Sequence, residues 1–256
     1  MLDGVHKLID SAVVEPANFP PTLIFNEGWL LRLVLDWYSR NYNMDQPLLL
    51  QPKSTWFSEA LLPSPFRPRY RGDTRAEART HADGILGHIS IGGSAKADAM
   101  LLADATQLIV LEAKIYSPLS GGTRNAPNYN QAARNVACIT ELLQRANRPP
   151  SIMTSLAFLV VAPEKQTNAG IFTQMLNKDA IKKAVQARAK SFSNELGDWV
   201  DIWFSPTIEI IHIEAVSWES LIGYIETIDR RSYQSLTMFY HRCLAHNGPR
   251  QKIVTS

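Results

Sequence analysis

Between Lys96 and Lys114 the chain reads KADAMLLADATQLIVLEAK, which gathers two carboxylates and an ammonium, Asp98, Glu112 and Lys114, around two short apolar runs. The runs, Ala99–Ala103 and Leu108–Leu111, are separated by Asp104-Ala105-Thr106-Gln107. Apolar runs of this length bounded by turn-forming residues predict two β-strands joined in a hairpin. With the turn centred on Ala105, Leu102 faces Leu108, Met100 faces Val110, and Asp98 faces Glu112. Side chains alternate across a strand, so Glu112 and Lys114 share a face with Leu108 and Val110. Directly opposed residues lie about 5 Å apart at Cβ, where like charges repel. A divalent cation between the carboxylates, a shared proton or a nearby basic group would each keep such a pair, and Lys114 relieves part of the repulsion. Oxygen ligands at this density suit Mg²⁺ or Mn²⁺. The plainer alternative is a strand end where both carboxylates point into water.

The elements that must position these residues are read from pattern. Upstream, Asn26 is a candidate N-cap for EGWLLRLVLDWYSRN, in which Leu30, Leu31, Val34, Leu35 and Tyr38 keep amphipathic helical spacing. Glu27 stands at the head of that stripe, placed there either for the helix dipole or toward whatever the stripe packs on. From Leu48 to Arg79, Pro52, Pro63, Pro65 and Pro68 argue against a long regular element. Within that stretch FRPRYRGDTRAEAR sets Arg67, Arg69, Arg71, Arg75 and Arg79 beside Phe66 and Tyr70. Arginines interleaved with aromatics can grip phosphates and stack on bases, or can form a solvated loop. His81 to Ile91 alternates as a strand and turns at Gly92-Gly93-Ser94 into the Asp98 strand, with His81 and Asp83 read as a surface pair at its far end.

After Lys114 comes a Gly-, Ser- and Pro-rich linker, then a helix from about Asn128 to Arg145 whose first turns carry Gln131 and Arg134, facing back toward the strand end. SLAFLVVAP at 155–163 is continuous enough for a buried parallel strand, giving a strand–helix–strand crossover. A helix over about 169–189, a strand in TIEIIHIEAV, a Ser217-capped helix and a helix near Tyr233–His246 complete the pattern, ahead of a basic tail. Residues 1–20 read as an irregular lead-in.

With 256 residues, 45% hydrophobic and 20% charged, the chain can build one substantial core, and one domain over residues 1–256 is expected. A net charge of +2 is no polycation, so a nucleic-acid partner would have to meet a local patch. Cys138 and Cys243 lack the spacing of a disulfide framework or zinc ribbon. The first ten residues lack a signal-peptide layout and no apolar run approaches 18 residues. A cytoplasmic protein with no membrane partner is the expectation.

Asp98, thirteen residues, then Glu112-Ala113-Lys114, with an acid-headed helix upstream and a Gln-bearing helix downstream, resembles the PD-(D/E)XK phosphodiesterase superfamily. The resemblance covers a core of about 27–162, with residues 205–246 as a strand–helix extension. It departs at Lys96-Ala97-Asp98, where the family usually has Pro-Asp. It implies an α/β fold of the restriction-endonuclease-like kind, three layers α/β/α around a central mixed sheet. It further implies that Asp98, Glu112 and the Ala113 carbonyl hold Mg²⁺ or Mn²⁺, that Lys114 orients water or stabilises charge, and that Glu27 and Gln131 assist. The expected activity is metal-dependent hydrolysis of phosphodiester bonds, in DNA, with Arg67, Arg69, Arg71, Arg75 and Arg134 as substrate contacts. A homodimer would suit cutting both strands. From a different class, the same fold could bind nucleic acid or serve assembly without catalysis.

Overall fold

A computed structural model describes residues 11, 19–41, 46–77, 80–93, 95–122 and 126–248. Most of the lead-in lies outside these residues, as do Arg79, Ser94, part of the linker (123–125) and the basic tail. The first helix, α1 (Glu27–Arg40), starts where the pattern places it: the Asn26 side chain accepts the Trp29 N–H at 3.0 Å. Its stripe, Leu30, Leu31, Val34, Leu35 and Tyr38, is buried.

Strand β1 (Thr55–Leu62) is an element the sequence reading did not place within the 48–79 stretch, where the prolines argue only against a long one. Pro52 and Pro63 bracket an eight-residue strand; they forbid a helix through them, not a strand between them. The expected His81–Ile91 strand is two, β2 (Thr80–Gly87) and β3 (Ile89–Ile91). The break falls at Gly87, whose φ of +140° and close approach to the Gln107 carbonyl leave no room for a Cβ.

The hairpin expected between the Asp98 strand and the Glu112 strand does not form. Strand β4 (Ala99–Leu101) pairs antiparallel with β3, Ile91 opposite Ala99. Strand β5 (Gln107–Ala113) instead pairs antiparallel with β2, Gly84 opposite Leu111 and Ile85 opposite Val110. The reason is burial. All seven β5 residues are buried, so β5 needs strands on both edges and helices on both faces, whereas β4 is three residues with Met100 exposed.

Helix α2 (Gln131–Arg145), capped by Asn130, carries the chain over to β6 (Ser155–Ala162), parallel to β5. The expected 169–189 helix is a short α3 (Glu164–Asn168) and α4 (Lys178–Phe192), separated by a turn in which Gly170 has φ +67°. After a π-helical turn, Trp199–Phe204, the first half of the expected TIEIIHIEAV strand is α5 (Ser205–Ile210), and only β7 (His212–Ser217) is extended. Ile208 and Ile211 are buried while Ile210 is exposed, which is helical spacing, and Pro206 stands in the first turn, where its missing N–H costs nothing. Ser217 caps α6 (Trp218–Glu226), and α7 (Arg230–Asn247) ends the described chain.

The sheet order is β1-β2-β5-β6-β7, antiparallel through β5 and parallel beyond it, with β3 and β4 as a separate ribbon. Leu108, Val110, Phe158 and Val160 pack on α2, α4 and α5. Ile109, Leu111, Leu159 and Val161 pack on α1, α6 and α7. The fold is α/β, with a mixed five-stranded sheet between two helical layers; each fully buried aliphatic side chain on it contributes roughly 2 kcal/mol. No helix among the described residues is long and apolar enough to cross a membrane.

Candidate metal centre

Three segments converge where the parallel strands end. The chain leaves β5 at Lys114, β6 at Pro163 and β7 at Trp218, and α2 and α6 begin nearby. The mouth at the carboxyl ends of parallel strands is where open α/β sheets place ligands. Helix α1 brings its N-terminus to the same end: Arg32 Nε donates to Ser58 Oγ at 2.9 Å and Trp56 Nε1 to Ser39 Oγ at 3.2 Å, so the helix runs against β1.

Continuing the β1–β2 and β2–β5 registers sets Glu59, Asp83 and Glu112 in one row. Asp83, read from sequence as part of a surface pair, is thus the acid facing Glu112. The last ladder pair is Gly84–Leu111, and beyond it the Ala113 N–H donates to Asp83 Oδ2 at 2.7 Å. Asp98 is elsewhere: it bridges to Leu61 on the far edge of β1, with the Leu61 N–H donating to the Ala97 carbonyl. That is three strand spacings from Glu112, about 14 Å. The Asp98 carboxylate accepts the Ala95 N–H at 2.8 Å. Asp98 therefore cannot share an ion with Glu112; the acid that stands beside Glu112 is Asp83.

Glu112 and Lys114 share a face, as strand alternation requires, and Lys114 Nζ reaches Glu112 Oε1 at 2.6 Å. The Glu112 side chain is 3% exposed, and its second oxygen, Oε2, is buried with no hydrogen-bond partner. Burial pushes the Glu112 carboxyl up to about 7; the Asp83 charge adds to the rise and Lys114 opposes it. An orphaned, buried carboxylate oxygen next to a second carboxylate is a strong acceptor site without a donor, which a cation or a proton would satisfy. Among the described residues no group of three or more His, Cys, Asp or Glu side chains gathers to hold a metal. Two carboxylates, with a backbone carbonyl such as that of Ala113 and water completing the shell, are the kind of donor set Mg²⁺ accepts.

The remaining sequence-derived residues fare differently. Glu27 is half-buried at the head of α1 and lies toward Cys243 of α7, whose thiol is pushed up to about 12 by burial and, secondarily, by the Glu27 charge. The structure pairs Glu27 with neither Asp83 nor Glu112. Gln131 spends its side chain on the segment after Lys114: Oε1 accepts the Ser120 N–H at 2.9 Å, while its own N–H donates to the Ser120 carbonyl. Arg134 lies 3.9 Å from the Glu77 carboxylate, its Nε buried without a partner. Arg67 reaches Glu141 at 3.8 Å and is largely exposed, as is Arg71.

Arg69 and Arg75, both exposed, are engaged in contacts within the fold. Arg69 pairs with Asp73 and donates to the Phe192 carbonyl; Arg75 donates to the Ser191 carbonyl. Both satisfy the open carbonyls at the C-terminus of α4. Phe66 is fully buried against Tyr129, Phe192 and Trp199, so it has no face to offer a base. Around it lies a cluster that sequence reading missed, in which the Arg188 guanidinium sits over Phe66 and Tyr129 and donates to the Arg75 carbonyl. The one available signal was Arg188 falling among the apolar positions of its helix, Ile181, Ala184 and Val185.

Glu59 carries backbone strain, with φ at +57° in mid-strand, a conformation that costs a non-glycine residue about 1–2 kcal/mol. Its carboxylate reaches Arg32 at 3.5 Å. No family model, curated protein or solved structure matches the chain.

Proposed function

We propose that this chain is a divalent-metal-dependent nuclease of the PD-(D/E)XK kind, hydrolysing phosphodiester bonds in nucleic acid, DNA first. In this reading Asp83 takes the place first given to Asp98, and Asp83 and Glu112, with the Ala113 carbonyl, hold Mg²⁺ or Mn²⁺. The observation that carries it is the orphaned Glu112 Oε2 facing Asp83, with Lys114 fixed on the other oxygen. A divalent cation bound there supplies a water of lowered pKa and a Lewis acid for the phosphoryl oxygens. Lys114, 12% exposed at the mouth, is a fixed positive charge within reach of a phosphate oxygen or attacking water, where negative charge develops. The exposed Arg67 and Arg71, with the partly exposed Arg134 at the start of α2, are the candidates for neighbouring phosphates.

The test is incubation with plasmid, linear duplex and single-stranded DNA, and with RNA, in Mg²⁺, Mn²⁺ or EDTA. Cleavage that needs the metal and is lost at least a hundredfold in Asp83→Asn and Lys114→Ala, both still folded by circular dichroism, supports the reading. Full activity in either variant refutes the assigned site.

A second reading, a nuclease fold that binds nucleic acid without cutting it, has one observation in its favour. The closed Lys114–Glu112 pair is almost sealed from solvent, as a purely structural ion pair would be. Millimolar Mg²⁺ that leaves the melting temperature unchanged, together with retained DNA binding, would favour that reading.

A further inference from the structure

The left-handed backbone of Glu59 falls at the one row where both neighbouring strands lose their alternation. The β1–β2 register is the same on either side of it, Ser58 opposite Gly84 and Ala60 opposite Ala82. Yet Phe57 and Ala60, three residues apart, pack on the same helical layer, and so do Ile85 and Ala82. In a regular strand, residues three apart face opposite sides. Each strand has therefore slipped its facing by one residue at this row, Glu59 in β1 and Asp83 in β2. Irregularities of this kind re-aim side chains and concentrate beside active sites.

The Glu59 carboxylate is not what the row needs: its side chain is 53% exposed and, among the described residues, it pairs with Arg32 at 3.5 Å. The effect appears at Asp83, whose carboxylate, freed from the regular pleat, accepts the Ala113 N–H just past the last ladder pair.

We propose that Glu59 is a positioning residue, whose left-handed backbone turns Asp83 out of the alternation of β2 and holds its carboxylate against the Glu112-Ala113-Lys114 segment. The importance of that placement for catalysis rests on the nuclease reading; the placement itself does not.

The experiment compares Glu59→Gly, which keeps the left-handed conformation without the carboxylate, with Glu59→Val, whose branched side chain disfavours it. Amide hydrogen exchange is followed by NMR in EDTA. Ala113 should stay as protected in Glu59→Gly as in the natural chain and exchange at least tenfold faster in Glu59→Val, with Leu111 unchanged. If Glu59→Val does not fold, Glu59→Ala should show the same direction, at least threefold. Natural protection of Ala113 in the valine variant (in the alanine variant, if valine does not fold), or its loss in Glu59→Gly, overturns the proposal. Mg²⁺ titration of the same samples is a separate arm: a natural chain that binds no Mg²⁺ refutes the nuclease reading while the exchange result still judges the positioning.

Discussion

Glu112 is held almost out of water, with one carboxylate oxygen on Lys114 and the other without a hydrogen-bond partner. Burial, and then the Asp83 charge beside it, push its carboxyl up to about 7 from the ordinary 4.5. An acid with a raised folded pKa binds its proton more tightly in the fold than in the unfolded chain. Folding is therefore helped below about pH 4.5, and that help is lost as pH climbs through about 7. In EDTA the melting temperature should fall between pH 5 and pH 8, and Mg²⁺ should restore it at pH 8 far more than at pH 5.5, since only the ionised pair binds the cation. A melting curve with the same Mg²⁺ shift at both pH values would count against a metal on this pair. The choice of acid is tested separately. Asp98→Ala should leave Mg²⁺ affinity within about twofold, whereas Asp83→Asn should lower it at least tenfold, measured by calorimetric titration. The reverse ranking would reinstate the Asp98 hairpin.

At the scale of elements, two arginines first read as substrate contacts turn out to close a helix. Arg69 and Arg75 donate to the Phe192 and Ser191 carbonyls, locking the loop after β1 onto the end of α4. Arg69→Ala should lower the melting temperature by a few degrees and leave nucleic-acid affinity at physiological salt unchanged, as read by fluorescence anisotropy; a large affinity loss at constant stability would return Arg69 to the binding surface. The elements that local pattern specified well are those whose signal is self-contained. Asn26 and Ser217 cap α1 and α6 where they should, and β5 and β6 are as buried as their apolar runs imply. Elements missed or misread are those decided by neighbours: β1 between prolines, and the helical start of TIEIIHIEAV.

For the molecule as a whole, the C-terminal strand and helices help to hold the Glu112-Ala113-Lys114 segment. β7 adds to the parallel half of the sheet, and α6 delivers Trp218, fully buried, whose Nε1 donates to the Lys114 carbonyl at 2.9 Å. Gln166 likewise donates to the Ile115 carbonyl at 3.2 Å. The backbone on which Lys114 rides is thus anchored from two other elements. Trp218→Phe keeps the bulk and removes one buried hydrogen bond, costing about 1 kcal/mol, while Trp218→Ala should cost about 3–5 kcal/mol by denaturant unfolding. If the phenylalanine variant cleaves DNA several-fold more slowly at equal stability in the folded range, the anchor matters to the chemistry as well as to the core. An effect on neither stability nor rate would mean that the bond is dispensable.

The sequence by itself determined that Glu112 and Lys114 share a face at the end of a buried strand, because the two-residue period of a strand is a local property. It also determined the crossover through α2 to a parallel neighbour, since the apolar run at 155–163 tolerates no solvent face. Only the tertiary structure decided which acid stands opposite. Asp83 and Asp98 both lie beside a short apolar stretch, and which stretch pairs with β5 depends on which can be covered on both faces. β2 can, packed between α1 and α2; the three residues of β4 cannot. Strand partnership is settled by burial across the whole sheet, a quantity no window of sequence contains.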